Sequence, residues 1–229
     1  MLFGLLDDPT VVESLEKKTG EVVWTNGQDA AGYATPQPFG SGDNRAVAIF
    51  AAKDLVAVKV KDGAELWRHP WKTEYDVNAA QPILDGDRVF VSSGYERGAT
   101  VVKVEGNKAS TVWENKNMRN HFNSCLLWKG HLYGVDEDQL RCLVFDTGEV
   151  KWTEKSVGKG SLLIADGKLI VLSDKGELMV ADPSPEGFKP IARAQVLTGK
   201  CWTTHVLANG RIFCRNAAGD VVCLDVSGK

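Results

Sequence analysis

The sequence predicts an all-β fold, a β-propeller of four-stranded antiparallel blades, on three observations. Tryptophans at positions 24, 67, 113 and 152 recur at intervals of 43, 46 and 39 residues, the period of a repeat architecture. A glycine stands four residues before three of them, at Gly20, Gly63 and Gly148. Between these landmarks lie short apolar or alternating runs broken by Asp-Gly, Asn-Gly and Lys-Gly pairs, which are hairpin signals. Four short strands per period, repeated, make blades. A helical solenoid would need apolar residues spaced for a helix face, and these runs lack that spacing. A WD40-type propeller would follow its tryptophan with Asp; here Thr25, Arg68, Glu114 and Thr153 follow.

In chain order, residues 9–28 read as the outer half of a blade whose inner half is missing. Asp8-Pro9-Thr10 would also suit a helix start, but β-branched residues in the later copies of the frame favour a strand over Val11–Leu15. Complete blades are expected at 34–72, 79–117, 122–156, 160–196 and 202–229. Each opens on an innermost strand, as at Gln81-Pro82-Ile83-Leu84, turns at a pair such as Asp85-Gly86, and closes on the outer strand that carries Trp. In the fifth, Ile191 takes the place of Trp, four residues after Gly187. The last stops where its closing strand would begin. About five blades and an outer half point to part of a seven- or eight-bladed propeller forming a single domain. A propeller left open exposes strand edges, so low solubility or oligomerisation is expected of this chain alone.

Composition excludes several classes. Thirty acidic side chains against 27 Lys and Arg give a net charge of −3, and no basic run is longer than two, so no nucleic-acid footprint is present. Met1-Leu2-Phe3-Gly4-Leu5-Leu6 ends at Asp7-Asp8, too short for a transmembrane helix or a signal peptide. The five cysteines, Cys125, Cys142, Cys201, Cys214 and Cys223, include no CxxC pair and suggest no zinc site. They read as buried apolar filler. No GxSxG or GxxxxGKS/T motif occurs, and Gly158-Lys159-Gly160-Ser161 leads into a strand rather than a helix N-terminus.

The frame Ala-x-Asp-x-x-x-Gly-x-x-x-Trp is met by Ser14, Glu16, Gly20 and Trp24, by Ala57, Lys59, Gly63 and Trp67, and by Cys142, Val144, Gly148 and Trp152. It resembles the tryptophan-docking repeat of PQQ-binding-like β-propellers, the quinoprotein alcohol dehydrogenase-like group. That group includes PQQ-dependent alcohol dehydrogenases and the outer-membrane assembly lipoprotein of the Bam complex. The resemblance covers nearly the whole chain. Gly closes the turn between the outer strands, and Trp wedges between neighbouring blades with its N–H on a backbone partner. Gly20, Trp24, Gly63, Trp67, Trp113, Gly148 and Trp152 are therefore structural docking residues. The Asp of the frame is absent at Glu16, Lys59 and Val144, which weakens the expected turn hydrogen bond but not the packing role.

Propeller sites form where connectors enter the innermost strands. Aligned there, the repeats read GYATPQP, VNAAQPI, HFNSCLL, GKGSLLI and CWTTHVL. One column holds Tyr33, Asn78, Phe122, Lys159 and Trp202, varied in chemistry; two positions later all are small. This pattern suits a binding funnel at the channel mouth, with Tyr33, Asp76, Asn78, Arg119, His121, Asn123, Lys159, Lys200 and Trp202 as candidates. The competing reading has Tyr33 and Trp202 as channel plugs and Arg119-Asn120-His121 as a solvated connector.

Two functions remain. The first is a non-catalytic bacterial scaffold binding a protein, peptide or glycan, with no catalytic residue, no metal and no cofactor expected. The alternative is a PQQ-dependent alcohol or sugar dehydrogenase. The resemblance would then imply PQQ with calcium, held by carboxylate and amide oxygens, with a carboxylate base. The candidate columns are poor in Asp and Glu, and no adjacent Cys pair occurs. Resemblance also places the protein in the periplasm or cell envelope, with any export signal expected upstream of Met1.

Overall fold

The computed structural model of the chain describes residues 2–4, 12–27 and 29–228. Those residues form six antiparallel sheets and no α-helix. The first sheet joins β1 (Leu2–Gly4), β2 (Val12–Leu15) and β3 (Val22–Asn26). The second has β4 (Gln37–Phe39), β5 (Ala46–Phe50), β6 (Asp54–Lys59) and β7 (Glu65–Pro70). The third has β8 (Ile83–Asp85), β9 (Arg88–Ser93), β10 (Gly98–Glu105) and β11 (Lys108–Asn115).

The fourth has β12 (Leu126–Trp128), β13 (His131–Asp136), β14 (Gln139–Val144) and β15 (Val150–Glu154). The fifth has β16 (Ser161–Ala165), β17 (Lys168–Leu172), β18 (Glu177–Ala181) and β19 (Pro190–Gln195). The sixth has β20 (Val206–Ala208), β21 (Arg211–Arg215) and β22 (Val221–Asp225). Strands pair in chain order throughout, so every sheet is the meander of a propeller blade. The chain divides into two compact units, one up to Phe122 and one from Asn123 onward, with three sheets each.

The repeated frame acts through register. Ser14 faces Trp24, Ala57 faces Trp67, Val101 faces Trp113 and Cys142 faces Trp152, and in each pair the ladder slips at the following residue. This bulge bends the outer strand and turns the indole toward the next sheet. Trp24 Nε1 donates to the Val60 carbonyl at 2.9 Å, and its ring joins Val47, Ile49, Val56 and Val58 in one core. A Cβ on Gly63 would sit 2.6 Å from Trp24 Cε3, so Gly63 makes room for the ring as well as supplying its φ of 72°. Trp67 packs with Val89, Val91 and Val102 of the third sheet. In the second unit Trp152 Nε1 donates to the Ser184 carbonyl at 2.8 Å, and its ring lies 6.2 Å from that of Phe188.

Three expectations are corrected. The first sheet has a third strand, β1, paired Leu2 to Leu15; three residues are too few to show a pattern in sequence. The expected boundaries at 9, 28 and 229, Val11 and the alternative helix start at Asp8–Thr10 lie outside the described residues. In the fifth sheet the bulge falls at Ile191, and Ala192 takes the register of Trp; Ile191 is 61% exposed. Four cysteines are buried, but Cys223 is exposed. Its face of β22, shared in register with Phe213 and Val206, is exposed.

Candidate functional site

An antiparallel meander brings two segments of each blade to one end. These are the connector leaving the outermost strand and the hairpin between the second and third strands. The candidate residues lie on such segments, and each unit builds its own arrangement.

In the first unit, Asn78 is the hub. It is fully buried, its Nδ2 donates to the carbonyls of Ala51 at 2.7 Å and Ala52 at 3.0 Å, and its Oδ1 accepts Ser93 Oγ at 2.6 Å. Ser93 Oγ in turn accepts Trp71 Nε1 at 3.0 Å, and the Asn78 carbonyl accepts the backbone N–H groups of Tyr33 and Ala34. Every member of this network is satisfied, which rigidifies the connectors around it. On that framework stand exposed aromatics. Tyr33 is 72% exposed and Tyr75 is 71% exposed. The Tyr75 ring meets Tyr95 edge-on at 5.3 Å, and Tyr95 meets the His121 imidazole at 5.0 Å. Gly94 leaves room for that imidazole; a Cβ there would come 2.9 Å from its Cγ. Tyr75, Asp76, Tyr95 and Glu96 all have φ between 53° and 64°, a region that costs a non-glycine residue free energy and clusters at functional sites. Arg119 is held by Glu96 at 2.6 Å, and Arg97 by Glu114 at 2.7 Å with its guanidinium 3.4 Å over the Trp71 ring.

In the second unit the focus is Trp202. The connector that carries it is pinned at both sides. Leu197 N donates to Gly176 O, Cys201 N donates to Asp174 O at 2.8 Å, and Ala217 N donates to Lys200 O at 2.8 Å. Trp202 nevertheless keeps 40% of its surface exposed. Lys200 Nζ lies 4.1 Å from the ring centroid and Lys159 Nζ 5.8 Å from it, both within cation–π range. An open recess beside the ring is lined by Asp174, Lys175, Thr198, Gly199, Lys200 and Trp202.

Asn123 is not on that surface. It is buried, donating to Gly160 O at 2.6 Å and accepting Thr204 Oγ1 at 3.1 Å. Below it, Ser161 Oγ and His205 Nδ1 are 3.0 Å apart. A serine–histidine contact can mark a nucleophile, but both side chains are sealed from solvent, so no carbonyl can reach them. Burial pushes the His205 pKa down to about 4, with the Ile170 backbone pulling the other way. The imidazole is therefore neutral at ordinary pH.

The sequence candidates thus separate. Lys159, Lys200 and Trp202 converge, Arg119 and His121 join Glu96 and Tyr95, and Tyr33 is exposed on its own connector. Asp76 lies on the strained turn beside Tyr75. Asn78 and Asn123 are corrected from surface groups to buried braces, because backbone carbonyls take their amides. Tyr75, Tyr95, Asp174 and Lys175 were not among the expected residues. Tyr95, Asp174 and Lys175 sit on the hairpins between second and third strands; aligning those hairpins, as the connectors were aligned, would have found them.

No group of three or more His, Cys, Asp or Glu side chains among the described residues is placed to hold a metal ion.

A family model for the outer membrane protein assembly factor BamB matches residues 5–154. The fold is similar to the crystal structure of BamB from Moraxella catarrhalis, with a TM-score of 0.65 and 16% identity over 100% of this chain and 73% of that one. It is also similar to the computationally designed Ika8 protein, with a TM-score of 0.60 and 9% identity over 96% of this chain and 79% of that one. No curated protein sequence matches the chain. At such identities the structural likenesses establish the propeller fold alone. No helix among the described residues is long and apolar enough to cross a membrane.

Proposed function

The chain belongs to the family of the outer membrane protein assembly factor BamB, and from that premise we propose that it is a non-catalytic scaffold for outer-membrane protein assembly, working in the periplasm or cell envelope, and that its connector ends hold a protein partner. One observation carries the reading. Six aromatic side chains are exposed among the described residues: Tyr33, Tyr75, Tyr95, Phe122, Trp202 and Phe213. All but Phe213 stand on connectors or on the hairpin between the second and third strands, at the same end of their blades. Exposed Tyr and Trp on a rigid base are what protein interfaces use as anchors, because they bring large contact area at little cost in side-chain entropy.

The test replaces Tyr75, Tyr95 and Trp202 by Ser in the full-length protein in cells and measures folded β-barrel protein in the outer membrane. A several-fold loss with the scaffold present at its normal level is expected. Unchanged outer-membrane protein would overturn the reading. So would a new visible absorption band and alcohol-dependent dye reduction on adding PQQ and calcium to the purified protein.

A further inference from the structure

We propose that the recess beside Trp202 receives an acidic segment of a partner polypeptide, its carboxylates held by Lys200 and Lys159 and an adjacent apolar side chain resting on the exposed part of the indole. This rests on the reading of the connector ends as a protein-binding surface and names the chemistry of what one of them takes.

The charges are the first argument. Lys159 and Lys200 direct their ammonium groups at one ring, and Lys175 lines the same recess. None of the three makes an ion pair with a carboxylate among the described residues, and what sets Lys159 and Lys200 apart from other unpaired lysines is their convergence on one indole. Arg215 Nε donates to Oγ1 of Thr203, the residue after Trp202, at 3.1 Å. The lining holds a single carboxylate, Asp174, which rests against the bare Cα of Gly158. Like charges gathered around one ring repel each other, and an incoming carboxylate relieves that repulsion while adding charge-assisted hydrogen bonds.

Shape is the second argument. The connector is fixed to a hairpin on either side, so little ordering free energy is lost on binding. Lys200 already lies over the ring, at 4.1 Å from its centroid, so a ligand stacking on that face has to displace an ammonium group. The charged tips and the ring edge remain, and they suit a segment that alternates acidic and apolar residues. Such a segment can place its apolar side chains near Asp174 and its carboxylates away from it. A continuous anionic membrane surface cannot.

The experiment uses a fluorescein-labelled peptide alternating Glu and Leu and the matching peptide with Gln for Glu, titrated with the purified protein and followed by anisotropy. The Glu peptide is expected to bind and to weaken as salt is raised, while the Gln peptide binds at least about tenfold more weakly. Lys159→Glu with Lys200→Glu is expected to lose the Glu peptide and gain a Lys–Leu peptide, a swap that a misfolded variant cannot produce. Equal binding of the Gln peptide, an unchanged affinity in the double variant, or displacement of the peptide by vesicles of phosphatidylglycerol and phosphatidylcholine would each overturn the proposal. If the peptide fails to bind while Trp202→Ser still lowers outer-membrane protein in cells, this inference falls and the scaffold reading stands. If the peptide binds and cells are unaffected, the scaffold reading falls instead.

Discussion

The two units use the same blade positions for opposite ends. In the first, the arginines at the connector ends are neutralised, Arg119 by Glu96 and Arg97 by Glu114, and the exposed chemistry is aromatic. Its turns hold Tyr75, Asp76, Tyr95 and Glu96 at positive φ. In the second, the turns around Trp202 take positive φ at Gly158, Gly176, Gly199 and Gly219, which meet it without strain. There the lysines are left without carboxylate partners. The two sites depart from the repeat in different ways, left-handed non-glycine residues around Tyr75 and Tyr95 and converging lysines around Trp202, although elsewhere the second unit also holds Lys129, Glu137, Asp166 and Asn209 at positive φ. A departure of this kind is held in place by buried bracing, and the bracing differs as well.

The largest expected effect tests that bracing. Asn78→Ala strands two backbone carbonyls and the Ser93 hydroxyl in a fully buried site, which should cost about 3 kcal/mol or more in urea unfolding. Asn123→Ala removes one donor to Gly160 and one acceptor for Thr204, and Thr204 is exposed enough for water to replace it. A loss of about 1–2 kcal/mol is expected. Equal losses would mean that the two amides brace their units alike.

The next effect belongs to the second unit alone. His205 has its pKa lowered from 6.5 to about 4 by burial. A base whose folded pKa lies below its unfolded value binds its proton more readily when unfolded. Its stabilising contribution is therefore complete above pH 6.5 and is lost as pH falls toward 4. The full loss is about 3 kcal/mol. The difference in unfolding free energy between wild type and His205→Leu, measured across that range, should change by nearly that amount. Parallel curves for the two proteins would show that the imidazole does not titrate in this way.

The docking frame was legible in the sequence because its physics is local. A Trp that must cross to the next sheet and a Gly that must bend a turn leave fixed residue types at fixed spacing. Ile191 was misplaced because the bulge is set by strand pairing, and Gly187 gives no sign of where the ladder slips. Lys159, Lys200 and Trp202 could be found because all three stand on connectors that align. Asn78 and Asn123 were misjudged because an amide in a connector reads the same whether it faces solvent or a backbone carbonyl. Tyr75 and Tyr95 were missed because nothing in the letter Tyr announces a positive φ.

The smallest effects sharpen the contrast in strain. Asp76 has φ 55°, and its side chain makes no hydrogen bond or ion pair with any described residue, so Asp76→Gly removes strain without removing a contact. Relief of the left-handed conformation, offset by the freer unfolded chain, should stabilise the protein by a few tenths to about 1 kcal/mol. Gly199 is its mirror. Its φ is 73°, and a Cβ there would meet nothing within 4 Å, so Gly199→Ala introduces the backbone cost alone, about 1 kcal/mol of destabilisation. Gly176 is unsuitable for the comparison, because its Cβ would also collide with the Leu197 carbonyl. Urea midpoints moving in opposite directions for Asp76→Gly and Gly199→Ala would establish that the Tyr75–Asp76 turn stores strain where the Gly199 turn does not. A fall in both would mean that the Tyr75–Asp76 turn is relaxed as it stands, and the difference between the two sites would then rest on charge alone.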